Sequence, residues 1–344
     1  MATTFKTLVL DKDVANTRTL LHEAIPLTGT IVSGTYADEN IKNYAHGMFQ
    51  SVYDYPYLSS SANHIFDLTV GYASGSALNT AASVQNSKKI NIYNQMAQVL
   101  VGYDLTGSIR EFDQDGNLAA GGAKLQECLF VNFSRLLTKD EVKKGSFIMT
   151  ALTGGTPAAP TDALTISDYG AASTYLTNSP AGEYAPLYTS SATPDATSGV
   201  GLLYYQAGIA VLTASVFDGT FGAPAATYDT SSIDAVLTGS QISSSCDGIR
   251  NRWQDCDFNN TTELNSTIYF CRAASNEFNY SSNPTYLSGS KIRVKSESTD
   301  PPSSFITTIG LYSEDNELLA VAKVSEPLKK DPSTELTLRV RLDY

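Results

Sequence analysis

From Gly145 to Ile249 the sequence contains no lysine, arginine or histidine, although it carries eight carboxylates there: Asp162, Asp168, Glu183, Asp195, Asp218, Asp229, Asp234 and Asp247. Phosphate backbones are bound chiefly by Lys and Arg, so a stretch of this kind argues against a DNA- or RNA-binding surface. Charge is scarce throughout. Only 17% of the 344 residues are charged, against ~25% in ordinary soluble domains, and the net charge is −12. The surface is therefore covered by Ser, Thr, Asn and many of the 20 tyrosines. Interface cores are depleted in charge and enriched in Tyr, so the composition suits a chain packed against other chains; it also suits a β-rich protein with many turns.

Histidine and cysteine are equally sparse. The three histidines, His22, His46 and His64, lie in the first fifth of the chain, and none sits in an HxH or HExxH arrangement. They read as structural or surface residues. Cys128, Cys246, Cys256 and Cys271 show neither CxxC nor a Cys/His zinc spacing. The opening MATTFKTLVLDKD has no apolar secretory core, so the thiols are expected to be reduced and the chain to be made in a cytoplasm, with one disulfide among Cys246, Cys256 and Cys271 left open. GxSxG elbows and glycine-rich phosphate loops are missing as well. EFDQDGNLAAGGAK fails as a calcium loop, because the twelfth position counted from Asp113 is Lys124 rather than Glu. Carboxylate pairs for glycoside hydrolysis leave no spacing signature. The sequence thus predicts no catalytic, cofactor-binding or metal-ligating residue, no cofactor and no enzymatic activity.

What is present reads as mainly β, with a mixed α+β N-terminal part and a C-terminal antiparallel β-sandwich-like domain. Composition divides the chain into 1–115, a mixed assembly domain, 116–250, a β-rich domain, and 251–344, the sandwich-like domain. Asp11 to Glu23 begins with acids and precedes Pro26, which predicts a short helix. Lys89 to Gly102 places Ile92, Met96, Val99 and Leu100 on one helical face. CLFVNFSRLL and Phe147 to Leu152 read as strands, and Ile233 to Leu237 continues the β pattern. The Ala/Thr/Ser/Pro-rich segment at about 153–198 reads as a long surface loop or small inserted β-module. Ala196 to Phe217 is uncharged and long enough to span a bilayer, but Gln206-Ala207-Gly208 splits it into two β-rich halves, a hairpin rather than a membrane span. Near the C-terminus, Lys291 to Lys295 and Leu336 to Leu342 alternate, and two more strands flank a turn at Ser313 to Asn316, giving four antiparallel strands. Leu319, Val321 and Lys323 alternate with Leu318, Ala320 and Ala322; apolar residues in both sets predict burial on both sides, with Val321 inside.

Several long phrases share one character: FQSVYDYPYLSSSANHIFDLTVGY, INIYNQMAQVLVGYD, FVNFSRLLTKDEVKKGSF, GLLYYQAGIAVLTASVF, FCRAASNEFNYSSNPTYL and ITTIGLYSEDNELLAVAKVSEPLKK. Together they resemble virion structural proteins of large contractile-tailed bacteriophages. That resemblance implies a tail component, in the baseplate or neck region, contacting other virion proteins and copies of itself in a symmetric assembly. A capsid decoration protein and a glycan-binding or glycan-degrading tail component are the alternatives. Phe278, Tyr280, Tyr286 and Arg272 have the composition of interface anchors.

Overall fold

Ser83 starts the principal helix, its side chain accepting from Asn86 N at 3.1 Å. This helix, α1 (Val84–Leu100), buries Asn86, Lys89, Ile92, Tyr93, Ala97 and Leu100 along one face. It stops at Gly102, whose φ of +81° only glycine adopts without strain and whose N–H returns to Ala97 O at 3.0 Å. The helix expected over Lys89 to Gly102 is therefore present and begins a turn earlier.

The computed structural model describes residues 5–27, 38–80, 83–118, 121–156, 159–189, 198–217, 221, 231–281, 283–288, 291–292, 299 and 301–344. The fold is mainly β. Its principal strands are β1 (Val14–Pro26), β2 (Ile41–Asn43), β3 (Gln50–Tyr53), β4 (His64–Tyr72), β5 (Glu127–Phe133), β6 (Ile148–Thr156), β7 (Ala159–Ser167), β8 (Gly182–Tyr188), β9 (Gly199–Tyr204), β10 (Ile209–Thr213), β11 (Trp253–Ala273), β12 (Ser304–Tyr312), β13 (Leu318–Lys330) and β14 (Leu336–Asp343). Two further helices, α2 (Ile233–Gly239) and α3 (Ile242–Arg252), precede β11.

Two compact units divide the chain, one of Leu21–Thr262 and one of Met1–Leu20 with Glu263–Tyr344; β1 and β11 have residues in both. In the larger unit the first part of β11 is followed by β6, β7, β8, β9, β10, β5, β4, β3 and β2, each antiparallel to its neighbour. α1 lies close against β4: a Cβ on Gly71 would come within 2.7 Å of Lys89 O, so only glycine permits this approach. The core is aromatic. Phe66 stacks on Trp253 at 4.7 Å, Phe133 meets Phe258 at 5.3 Å, and Tyr93 meets Phe112 edge-on at 5.4 Å. In the smaller unit β14 pairs with the second part of β11 from Ser266↔Asp343 to Ala273↔Leu336, while β12 and β13 form a ladder of their own.

Several expectations are corrected. Asp11 to Glu23 is not a helix: a single turn, Leu10–Asp13, closes with Asp13 N on Val9 O, and β1 follows, its pairing beside β11 overriding the acidic helix-start signal. Ile233 to Leu237 is helical, because Ser232 accepts from Ala235 N and the buried Ile233, Val236 and Leu237 fall at helical spacing. CLFVNF is a strand, but Arg135–Thr138 turns back as a helical turn. The 153–198 segment is no appended loop: β7 and β8 are members of the large sheet, and Tyr184, Ala185 and Leu187 are buried, though 157–158 and 190–197 fall outside the described residues. The boundary near 115 vanishes, since β4 and β5 pair from Phe66↔Phe133 to Tyr72↔Glu127 across it. The hairpin read between Gly201 and Phe217 is present as β9 and β10, paired from Gly201↔Leu212 to Tyr204↔Ile209. The C-terminal strands do not join in one sheet; Lys291–Ile292 pairs only with Leu287–Ser288, and 293–295 lie outside the described residues. Among the described residues no helix is long and apolar enough to cross a membrane.

Lys89 and Asp168 are two of the buried charged residues of the larger unit. Lys89 is fully buried and its ammonium donates to Leu237 O and, at 2.7 Å, to Ser240 O, where α2 ends. Desolvation depresses its pKa to about 8. Asp168, also buried, accepts from Gly145 N at 2.6 Å, Phe147 N at 3.0 Å and Tyr205 Oη at 2.9 Å. Burial nevertheless dominates and lifts its carboxyl to about 6. Lys89→Met leaves two carbonyls unpaired at about 1–3 kcal/mol each, partly offset by relief of a buried charge, so urea titration should register a net loss of roughly 2 kcal/mol. For Asp168 the folded pKa exceeds the unfolded one, so its protonated form favours folding below pH ~4 and that contribution disappears as pH rises through 6. The stability of the wild type relative to Asp168→Asn should therefore fall between pH 4 and 7, by an amount on the order of 3 kcal/mol. A difference that stays flat over that range would contradict the assignment.

Candidate functional site

In the larger unit, polar and aromatic side chains converge where β2 turns into β3. The connection, Tyr44 to Phe49, bends at Gly47 with φ +60°. Tyr44 and His46 stack at 5.1 Å with planes 8° apart, and Phe49 lies 4.8 Å from Tyr44 and 5.0 Å from His46. The Lys42 ammonium sits 4.8 Å from the Tyr44 ring centroid, and Lys88 of α1 donates to His46 O at 2.8 Å. Beneath them the buried Gln50 donates through Nε2 to Asn43 Oδ1 (2.8 Å), Asp247 Oδ1 (2.8 Å) and Ser243 O (3.2 Å), and accepts from Arg250 Nε at 3.3 Å. Gln50 thereby ties β3 to α3. Beside it opens a cavity of about 390 Å³ lined by Asn43, Tyr44, Phe49, Gln85, Lys88 and Ser243 among others. Gln85 Oε1 is buried and accepts no hydrogen bond.

Register places Lys42, Ser51, Asp67 and Asn132 in one row across β2, β3, β4 and β5, and opposed residues share a sheet face. Ser51 Oγ donates to Asp67 Oδ1 at 2.5 Å, His64 Nε2 lies 2.8 Å from the same oxygen, and Asn132 donates to Oδ2 at 3.4 Å. Burial raises the Asp67 pKa, but the bonds from His64, Ser51 and Asn132 outweigh it and hold the carboxyl below its ordinary value. This is a Ser, a His and an Asp without a triad. A nucleophilic serine needs the histidine as its base, whereas here serine and histidine share one carboxylate oxygen. Tyr44 Oη lies 3.2 Å from Ser51 Oγ and joins the row to the aromatic turn. Two histidines, His46 and His64, thus stand in this region; His22 instead meets Thr261 Oγ1 at 3.2 Å. Among the described residues no three His, Cys, Asp or Glu gather as metal ligands.

The four cysteines are free. Cys128, Cys246 and Cys256 are buried, and desolvation pushes their thiols well above the ordinary value, so none is poised as a thiolate. The disulfide left open among Cys246, Cys256 and Cys271 is not formed.

In the smaller unit the expected anchors are distributed differently. Arg272 is exposed and bound to its own unit through Lys12 O at 3.0 Å and Asp13 Oδ1 at 3.3 Å. Phe278, Tyr280 and Tyr286 are half-buried. The segment around Phe278 wraps the fully buried ammonium of Lys330, which donates to Asn279 Oδ1 (2.7 Å), Asp331 O (2.9 Å) and Ser275 O (3.3 Å). The feature sequence reasoning misplaced is β12 and β13. Val321 is not inside: no residue from Phe305 to Lys329 is buried, and Leu319, Val321 and Phe305 are 68%, 52% and 51% exposed. The physical reason is that this ladder has two strands, pairs with no third among the described residues, and is only partly covered: Ile306, Ile309, Leu311, Ala320, Ala322 and Val324 are half-buried while Phe305, Leu319 and Val321 remain exposed. The doubled apolar pattern signals a surface made for burial; it does not say by what.

No protein-family model, no curated protein and no solved structure matches the chain.

Proposed function

We propose that this chain is a structural, non-enzymatic subunit of a tailed-bacteriophage virion, part of the tail in its baseplate or neck region, acting through contacts with other virion proteins and copies of itself. The observation that carries the reading is the β12–β13 ladder, which leaves Phe305, Tyr312, Leu318, Leu319 and Val321 exposed and buries no residue from Phe305 to Lys329 completely. An isolated two-stranded hairpin is marginal in water, and exposed ladders of this kind attract other chains. A neighbouring subunit supplies the cover that the chain itself does not. The charge-poor, Tyr-rich surface and the phage-like phrases spread along the sequence support the same reading. So does the use of Lys89, Arg252 and Lys330 as buried ties to main-chain carbonyls, which is architecture rather than chemistry.

Quantitative mass spectrometry of purified virus particles tests the assignment. A few closed rings of copies are expected, as symmetric tail assemblies require. A copy number equal to that of the major shell protein would move the chain to capsid decoration, and absence from particles would remove the virion reading. A second test uses the exposed hairpin. Leu319→Asp with Val321→Asp should change folding stability by only about 0.5 kcal/mol, since both side chains face solvent, yet should abolish incorporation into particles. Incorporation at the wild-type level would mean that the hairpin is not the interface.

A further inference from the structure

β12 and β13 leave two free edges, and the residues along them differ. β13 carries Lys323, Glu326, Pro327 and Lys329, residue types that keep an edge from pairing. β12, SFITTIGLY, has no charge and no proline over its nine residues, and Ile306, Thr307, Thr308 and Ile309 are β-branched. Among the described residues its only ladder is with β13, and no backbone hydrogen bond reaches it from any other segment. Its outer row of N–H and C=O groups is open. We propose that a second copy of this chain pairs there, β12 against β12, antiparallel about a two-fold axis, so that two hairpins become one four-stranded sheet. This pairing rests on the reading of the hairpin as an interface and specifies what lies against it. A two-stranded hairpin is marginal in water, whereas three or more strands with an apolar face hold together.

Charge sets the direction of pairing. The turn at the hairpin tip carries the exposed Glu314, Asp315 and Glu317 and no cation. At the base the charges are compensated: Lys329 meets Asp331 at 3.1 Å, Lys6 meets Glu277 at 2.6 Å, and the Lys330 ammonium is buried. Parallel pairing sets two acidic tips side by side, whereas antiparallel pairing sets each tip beside the other copy's base and keeps the like charges apart. The strand is also complementary to itself. Opposed residues in an antiparallel pair share a sheet face, so a two-fold axis normal to the sheet passes between two copies of one residue. Overlap of the whole of β12 makes that residue Thr308, with Thr307 facing Ile309, Ile306 facing Gly310 and Phe305 facing Leu311. Every one of these pairs is uncharged, and β-branched and aromatic residues are the ones that stabilise cross-strand pairs. Nothing of the chain's own stands along the edge at Gly310. A Cβ there would be 2.8 Å from the Tyr312 ring, and Phe5 meets the same ring edge-on at 5.7 Å, so these contacts lie on a face of the ladder.

Sedimentation of the full-length chain over a concentration series should show a monomer–dimer equilibrium. Thr308 is exposed, so Thr308→Lys leaves the fold intact but opposes two ammoniums across the axis, and it should weaken the dimer about tenfold. Thr308→Glu should do the same, and an equimolar mixture of the two variants should restore dimers, which also shows that both are folded. Ser325→Lys, exposed on β13, should leave dimerisation unchanged. Thr308→Cys carries the test where a charged variant does not fold: opposed residues in an antiparallel pair stand within disulfide reach, so oxidised glutathione should link two chains of this variant and not two of the wild type. A chain that stays monomeric, a dimer indifferent to charge at position 308, a mixture that does not recover, or Thr308→Cys chains that do not link would each overturn the pairing. None of these results touches the hairpin as an interface, which stands or falls separately on whether Leu319→Asp with Val321→Asp enters particles.

Discussion

Main-chain carbonyls held by buried cations are the interaction on which the larger unit depends. Between Gly145 and Ile249 the chain supplies no cation of its own, and cations from outside the stretch reach into it. Arg252 is fully buried and donates to Phe221 O at 2.7 Å, Gly154 O at 2.7 Å, Leu152 O at 3.0 Å and Gly155 O at 3.3 Å. Lys89 closes the end of α2, Arg250 meets Asp247, and Lys144 lies between Glu141 and Glu183. A guanidinium has five N–H donors in a planar fork, so one side chain can serve several carbonyls at the end of β6 together with that of Phe221. Burying such a charge is costly unless its donors are used, and that constraint fixes where β6, α2 and α3 must lie within the unit. One carboxylate of the stretch, Asp168, is held in a comparable way, by Gly145 N, Phe147 N and Tyr205 Oη. A cation-free, acid-bearing segment is therefore a structural arrangement before it is an electrostatic surface.

The smaller unit repeats the device once. Lys330 ends β13 with its ammonium inside a ring of oxygens from Ser275, Asn279 and Asp331, and Phe278 is held there at a φ of +54°, a conformation rare for an aromatic residue. The stretch FCRAASNEFNYSSNPTYL, whose aromatics and arginine have the composition of interface anchors, is in part the wrapping of that buried ammonium. Its aromatics are half-buried by this local folding, so they serve the unit first.

Where periodicity and end signals agree, the sequence is legible. α1 has a Ser cap, a buried face at helical spacing and a glycine stop; β9 and β10 flank a polar turn; β14 alternates along its length. Errors arise where composition stands in for those signals. Ile233 to Leu237 looks β because it is aliphatic, yet Ser232 is a helix cap and residues 233, 236 and 237 share a helical face. The Ala/Thr/Ser-rich segment reads as a surface loop or a small inserted β-module, and its small residues build β7, which pairs along its length with β6 in the large sheet. The cavity was illegible for a different reason. Its walls come from residues 43–49, 85–88 and 241–243, and no spacing rule connects segments that meet only through the pairing of β3 with β4 and the packing of helices on that sheet.

β13 is the case in which pattern and fold are both right and still disagree. Leu319 and Val321 on one set, Ala320, Ala322 and Val324 on the other, specify a strand wanted dry on both sides, and the chain delivers it half wet. A strand with a solvated face normally alternates polar with apolar, since nothing is gained by exposing Leu or Val. Exposed edges are also normally protected by charge or proline, and along Leu318–Lys330 those guards, Lys323, Glu326, Pro327 and Lys329, leave Leu318 to Ala322 unprotected. A monomer would derive no benefit from that arrangement and would bear an aggregation liability. In the assembly proposed for this chain that liability becomes affinity, because apolar area left open on one chain leaves water when a neighbouring chain covers it.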